Sequence, residues 1–193
     1  LASTDGNVNN SGGFSSTFTD SAHPSYDVGP SQSDRRNTLV ASGTVLLPYG
    51  INLGGVFTLR STLPFSAIAG VDLNGDGFVT DYVPGTTRNA LNRGNNDQVI
   101  AAVNQYRATT GLAPISVSQI DTNDYANLDL RVSKSLVLPG SARKVELIGQ
   151  VFNVLNRTNL LAAWTTNALS SSFGVITQAA NKRQAEVAFR FSF

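Results

Sequence analysis

Residues 183–193, Arg-Gln-Ala-Glu-Val-Ala-Phe-Arg-Phe-Ser-Phe, alternate between apolar side chains and polar or small ones. Successive side chains of a β-strand point to opposite faces, so this period of two predicts a strand. One face of that strand is apolar and the other is largely polar. The apolar set is Ala185, Val187, Phe189, Phe191 and Phe193, and the opposite set is Gln184, Glu186, Ala188, Arg190 and Ser192.

Four other segments repeat this alternation, and short turns that contain Pro and Gly join them in pairs. Two alternating runs separated by such a turn are typical of a β-hairpin. We therefore predict an all-β fold, an antiparallel up-and-down meander. The predicted strands are 38–47 and 52–61 around the turn 48–50, 125–138 and 144–152 around the turn 139–141, and 183–193, with a further candidate around 14–19.

The connections between the predicted strands are alternately short and long. Residues 62–124 form the longest one, and their only predicted regular element is a short helix over 96–110. Its apolar positions are Val99, Ala102, Val103 and Tyr106, and Gly111 is its expected stop. We expect a polar extension over 1–36 and a strand region over 37–193 that carries 62–124 as a long loop insertion. Short turns that alternate with long loops are typical of outer-membrane barrels.

The composition excludes several classes of protein. Charged residues make up only 14% of the chain, against roughly 25% in soluble domains, and the net charge of +1 gives no basic field for nucleic acid. The chain has no cysteine, which excludes a disulfide framework. No apolar run is long enough for a transmembrane helix, so a membrane role would require a barrel. Because the chain begins with Leu and has no Met, we expect a processed protein or a fragment.

Most charges of the predicted strands share the face opposite the apolar one. A barrel with a lipid-facing outside and a polar lumen needs this arrangement. An amphipathic sheet in a soluble protein, with one face on its core, gives the same pattern. The charged residues on this face are Arg60, Asp129, Arg131, Lys144, Glu146, Glu186 and Arg190.

Four residues near the end of the chain resemble the C-terminal signal of bacterial outer-membrane proteins. That signal is a polar residue, a small residue two positions later, and aromatic residues at the third-last and last positions. Glu186, Ala188, Phe191 and Phe193 occupy those places. Ala188 stands where Gly is commoner. The resemblance implies that the outer-membrane assembly machinery recognises this strand and is a partner of the protein.

Other segments resemble TonB-dependent outer-membrane transporters of the Oar-like, carboxypeptidase-regulatory-domain group. Residues 150–159, Gln-Val-Phe-Asn-Val-Leu-Asn-Arg-Thr-Asn, are similar to that family's penultimate-strand motif, with Gln150 where Glu is usual. Residues 173–177, Phe-Gly-Val-Ile-Thr, are similar to the sequence that precedes the last strand in this group of transporters. Asp-Arg-Arg-Asn over 34–37 also resembles the group, with Asn37 where His is common.

The resemblance implies part of a barrel of about 22 strands whose lumen holds a plug. Five to seven strands cannot close a barrel, since about eight are needed, so we expect more chain or identical copies at the strand edges. The implied function is nutrient uptake across the bacterial outer membrane, with 62–124 as an extracellular loop. One alternative is a cleaved or secreted fragment that self-assembles into an extracellular structural oligomer or filament. Another is a soluble β-sandwich adhesin or carbohydrate-binding module.

Residues 72–81, Asp-Leu-Asn-Gly-Asp-Gly-Phe-Val-Thr-Asp, resemble a calcium-binding loop. Oxygen ligands at alternating positions and Gly at the sixth suit calcium, but Val83 stands where the closing bidentate acid is expected. The alternative interpretation is a solvated turn. The candidate ligands are the side chains of Asp72, Asn74 and Asp76, the carbonyl of Phe78, and Thr80 or Asp81.

The remaining candidates favour ordinary structural roles. His23 is the only histidine, so it cannot form a catalytic triad or a His-based zinc site by itself, and we expect it to be a solvated loop residue. The sequence has no nucleophile elbow, phosphate loop or dinucleotide motif, so we predict that the protein is not an enzyme. Arg88, Arg93 and Arg107 are candidates for an anionic ligand or solvated loop charges. Six aromatic residues have two alternative interpretations, as interfacial girdles or as ordinary sheet packing. These residues are Tyr49, Tyr82, Tyr125, Phe152, Phe189 and Phe193.

Overall fold

The computed structural model describes residues 8–9, 13–14, 19–20, 23–140 and 143–193. Three 3₁₀ turns, at Pro24–Asp27, Pro48–Gly50 and Val117–Gln119, accompany one α-helix and seven strands among these residues. No described helix has the length and apolar character needed to cross a membrane. The elements are β1 (Val8–Asn9), β2 (Gly13–Phe14), β3 (Thr38–Leu47), β4 (Ile51–Arg60), α1 (Asn96–Thr109), β5 (Tyr125–Val137), β6 (Lys144–Phe152) and β7 (Gln184–Ser192).

The five long strands form one sheet in the order β3-β4-β5-β6-β7, with every neighbouring pair antiparallel. The predicted all-β meander with one short helix is therefore confirmed, and each long strand ends within two residues of its predicted bounds. The sheet is open, with β3 and β7 at its edges, as a partial barrel requires. The further strand predicted around 14–19 includes residues 15–18, which lie outside the described residues.

The register of the sheet separates the two faces cleanly. One row across all five strands reads Val45, Leu53, Val132, Gly149 and Val187. The adjacent row reads Thr44, Gly54, Arg131, Gln150 and Glu186. Because side chains alternate along each strand, the first row belongs to an apolar face and the second to a polar face.

Both short turns lie at the same end of the sheet. In the first one, Tyr49 and Gly50 have φ values of 64° and 70°, which is the left-handed conformation that favours tight hairpins. Leu47 pairs with Ile51 across this turn, and Val137 pairs with Lys144 across the second. The long connections 61–124 and 153–183 leave the opposite end of the sheet.

The chain divides into two compact units. The sheet unit comprises Arg36–Ser61, Asp124–Leu161 and Ala179–Phe193, and the insertion unit comprises Leu1–Arg35, Thr62–Asn123 and Ala162–Gln178. Residues 162–178 were not predicted to belong with the long insertion. Backbone bonds explain the grouping, since Ala168 donates to the carbonyl of Ile68 at 2.8 Å.

The insertion unit has a hydrophobic core of its own. Phe173 is fully buried at its centre, and the ring of Phe65 stacks on Trp164 with 4.8 Å between centroids. The helix α1 contributes buried side chains to this core, and its predicted position is confirmed. The core residues are Phe65, Ala67, Val83, Leu91, Val99, Ile100, Val103, Ile115, Ile120, Ala168 and Phe173.

Candidate functional site

The polar face of the sheet carries a network of charges that crosses three strands. The carboxylate of Glu146 lies 3.5 Å from the guanidinium of Arg190 and 3.9 Å from that of Arg131. The side-chain amide of Gln150 donates to Glu186 at 2.8 Å. Exposed pairs of this kind contribute little stability each, so their main effect is to make this face hydrophilic. All seven charges predicted for this face lie on it.

The opposite face is exposed and almost wholly apolar. On the edge strand β7, the side chains of Val187 and Phe189 are 78% and 74% exposed. Soluble proteins rarely leave such a continuous apolar surface without a partner. The face therefore has the chemistry of a surface that contacts lipid.

The four residues of the predicted assembly signal divide between the two faces. Glu186 and Ala188 lie on the polar face, where Ala188 pairs with Ile148 of β6. Phe191 lies on the apolar face, and Phe193, which is 96% exposed, follows the end of β7. The rings of Phe191 and Phe193 are 6.0 Å apart. The spacing of the signal thus places its aromatic residues together at the end of the sheet that carries the short turns.

Residues 150–159, which resemble the penultimate-strand motif, complete a part of the sheet that β6 does not reach. Pairing between β5 and β6 begins at Leu130, so the first five residues of β5 extend beyond it. There the backbone N–H of Asn153 donates to the Asp129 carboxylate at 2.9 Å, and the N–H of Val154 donates to the carbonyl of Leu128 at 2.8 Å.

Nearer the start of β5, the side chain of Asn159 alone forms the hydrogen bonds of the strand's backbone. Its amide oxygen accepts the backbone N–H of Ala126 at 3.0 Å, and its amide nitrogen donates to the carbonyl of the same residue at 3.1 Å. Both residues are buried. The side chain of Asn159 therefore replaces a neighbouring strand at this point. This role was missed from the sequence, although the repeated Asn at 153, 156 and 159 was a visible signal.

Side-chain hydrogen bonds within the insertion unit also join the two ends of the long insertion. The side-chain oxygen of Asn123 accepts the backbone N–H of Leu63 at 2.8 Å and the hydroxyl of Thr62 at 3.0 Å. The hydroxyl of Thr62 in turn accepts the backbone N–H of Asn123 at 3.0 Å. Thr62 and Asn123 are thereby held together where the insertion begins and ends.

The six candidate calcium ligands lie on one loop, where side-chain oxygens of Asp72, Asn74, Asp76 and Asp81 accept backbone N–H groups. Asp72 accepts from Gly75 at 2.6 Å and from Gly77 at 2.8 Å, and these bonds hold the pKa of Asp72 below its usual value. The side chains of Asp72, Asn74, Asp76, Phe78 and Thr80 are exposed, and Asp81 is buried.

Asn74 links the candidate acids of this loop. Its amide nitrogen donates to Asp81 at 3.1 Å and to Asp76 at 3.3 Å. Among the described residues, no group of three or more His, Cys, Asp or Glu side chains is arranged to hold a metal ion.

Other candidates from the sequence have structural partners. The guanidinium of Arg107 is buried and donates to the carbonyls of Ala113, Ala168 and Ser170 at 2.6–2.9 Å. The guanidinium of Arg93 donates to both the backbone carbonyl and the carboxylate of Asp34. His23 lies 2.6 Å from the carboxylate of Asp20. These three side chains help to hold the insertion unit together.

Tyr82 does not lie on the sheet, so neither the girdle nor the sheet-packing interpretation applies to it. Its hydroxyl donates to Asp27 at 2.8 Å within the insertion unit, and burial raises the pKa of Tyr82 to about 12. Tyr125 and Phe152 lie at the loop end of the polar face, where the guanidinium of Arg60 is 5.5 Å from the Tyr125 ring centroid. Tyr49, in the turn, is 87% exposed.

An open antiparallel meander with one apolar and one polar face, short turns at one end and long loops at the other, defines a segment of a membrane β-barrel. Residues 1–186 match the family model described as outer membrane beta barrel domain. The chain belongs to this family, and its location is the bacterial outer membrane. No curated protein and no solved structure matches the chain.

Replacing Asn159 with Ala leaves both backbone groups of buried Ala126 without their partners. We expect the free energy of unfolding to fall by about 2–4 kcal/mol, as unpaired buried polar groups are costly. Asn159→Asp keeps the acceptor but turns a buried carboxylate oxygen toward the carbonyl of Ala126, so it should destabilise the protein at least as much as the alanine variant. The measurement is urea unfolding of the full natural protein in vesicles.

Thr158→Ala is the matched control, since Thr158 is adjacent and exposed. It should change the free energy of unfolding by less than about 0.5 kcal/mol. Equal effects of the two alanine substitutions would show that Asn159 does not complete the sheet.

Proposed function

We propose that the protein is a TonB-dependent outer-membrane transporter of the Oar-like group that takes up a nutrient. Family membership supports the barrel and its location. The finer assignment is supported by the resemblance of residues 34–37, 150–159 and 173–177 to that group. In this proposal the polar face lines the lumen and the apolar face contacts lipid.

The observation that carries the proposal is the folding of the insertion. Residues 62–123 connect β4 to β5 and, together with residues 162–178, build a unit with a buried core around Phe173 and Val103. Long loops that hold their own structure are usually functional, because ordering that many residues costs conformational entropy. We infer that this unit captures or gates the substrate on the extracellular side.

The test measures uptake by cells that express the full natural protein. A panel of labelled iron chelates, cobalamins and oligosaccharides should include one compound whose uptake is saturable and requires both the protein and TonB. Replacing residues 62–123 with a short Gly-Ser linker should abolish that uptake while the barrel still assembles, as judged by its heat-modifiable mobility on gels. Uptake that continues without TonB would contradict the proposal and indicate a passive pore.

The free edges of β3 and β7 favour a second candidate function. Among the strands that the structure describes, each edge strand has a neighbour on one side only, and such edges pair readily with other chains. In a transporter they would pair with further strands of a longer protein. If they pair with identical copies instead, the native particle should be a large assembly that stays in solution without detergent. Strict dependence on detergent would exclude this candidate.

We also propose that the loop over 72–81 binds calcium outside the membrane. The exposed oxygens of Asp72, Asn74 and Asp76 follow the order of a calcium loop, and Asp81 is held against them by Asn74. The backbone N–H groups of Gly75 and Gly77 orient the carboxylate of Asp72 within this loop. A site without the closing bidentate acid should be weak, which suits an extracellular loop.

Calorimetric titration of the full natural protein should show calcium binding with a Kd on the order of 10⁻⁴–10⁻³ M. Asp76→Asn should weaken binding by about tenfold, since calcium affinity follows the number of charged ligands. Asp97→Asn is the control, because this exposed acid lies in the first turn of α1, away from the loop in sequence. An absence of calcium binding, or equal losses in both variants, would identify the loop as a solvated turn.

A further inference from the structure

The apolar face of the five-stranded sheet contains one charged residue among the described strands, Lys134 of β5. Its partners in register on the same face are Ile51 of β4 and Leu147 of β6. Along β5 its neighbours on this face are Val132 and Leu136. The cation is therefore surrounded by apolar side chains.

The acids of the sheet cannot neutralise this charge, because they lie on the other face. Glu146 is bound there by Arg131 and Arg190, and Glu186 accepts from Gln150. None of the ion pairs found among the described residues includes Lys134. A half-buried ammonium on a lipid-facing surface is costly unless it meets water or an anion.

Lys134 lies near the turn end of the apolar face, and Leu136 is the one residue of β5 beyond it on that face. From Tyr125 to Lys134 there are 134 − 125 = 9 residue steps, which span about 30 Å at roughly 3.3 Å per residue. A strand tilted by about 40° covers about 23 Å of depth over this length, close to the band of about 25 Å found in such barrels.

The end of the sheet next to Lys134 has the other features of a membrane boundary. Ile51, its partner in β4, directly follows the turn that holds the exposed ring of Tyr49. Tyrosine favours the interface, where its apolar ring and polar hydroxyl meet different surroundings. Short turns are typical of the periplasmic side, so the adjacent lipids belong to the periplasmic leaflet.

We propose that Lys134 binds the phosphate of an anionic phospholipid headgroup in the periplasmic leaflet. The methylene stem of Lys134 lies along the apolar face, and its ammonium extends to the interface. Charge complementarity selects the headgroup, since the surrounding face offers no anion. The acyl chains of the same lipid then cover Leu147 and Ile51. This inference rests on the outer-membrane location and is independent of TonB-dependent transport.

A whole barrel contacts many lipids, so the test uses a probe placed next to Lys134. A fluorophore is attached to Leu147→Cys in the full natural protein, next to Lys134 on the apolar face. The protein is folded into vesicles with brominated phosphatidylglycerol or brominated phosphatidylcholine as the quenching lipid. We expect phosphatidylglycerol to be preferred about fivefold at this position, and salt should reduce the preference.

Lys134→Met keeps an unbranched apolar side chain but removes the charge, so it should reduce this preference to near unity, whereas Lys134→Arg should retain it. Lys144→Met removes a cation from the polar face near the same end of the sheet and should leave the preference intact. The same fluorophore at Leu59→Cys, near the loop end of the apolar face, should show no preference.

The heat-modifiable gel mobility of each variant establishes that it has folded. A preference that persists in folded Lys134→Met, or that is lost equally in Lys144→Met, would overturn the assignment. Equal quenching by both lipids in the unmodified background would overturn it as well, while leaving the proposed transport function untouched.

Discussion

In hydrocarbon, a β-strand can satisfy its backbone N–H and C=O groups only through neighbouring strands, since there is no water to replace them. This constraint accounts for the antiparallel register that runs without interruption from β3 to β7. In such a sheet every second side chain faces lipid. Apolar rows such as Val45, Leu53 and Val132 therefore alternate with polar rows such as Thr44, Gly54 and Arg131.

The same requirement shapes the places where strands end. Beyond the reach of β6, the backbone of β5 bonds to the Asn159 side chain and to the N–H of Val154. Where the insertion begins, Asn123 binds the backbone of Leu63. Asparagine suits position 159 because its amide carries one acceptor and one donor group, like a peptide unit. Asn123 acts through its amide oxygen, which joins the two ends of the insertion.

The sequence predicted the parts of the fold that depend on local periodicity. The alternation in 38–47 and 144–152 fixed both strands, and the helical spacing of Val99 and Val103 located α1. It did not predict that residues 162–178 join the insertion, because that contact depends on scattered bonds such as Ala168 to Ile68. It also did not predict the bond between Tyr82 and Asp27, because the two residues are distant in sequence.

The assignment of the two faces is tested most directly by a cysteine scan of β5, which is simplified because this chain has no cysteine of its own. Each residue from 127 to 132 is replaced in turn and labelled in the vesicle-bound full natural protein. Lipid-soluble quenchers should reach labels at Leu128, Leu130 and Val132, and water-soluble quenchers should reach labels at Asn127, Asp129 and Arg131. Accessibility without a period of two, or in the opposite phase, would contradict the account.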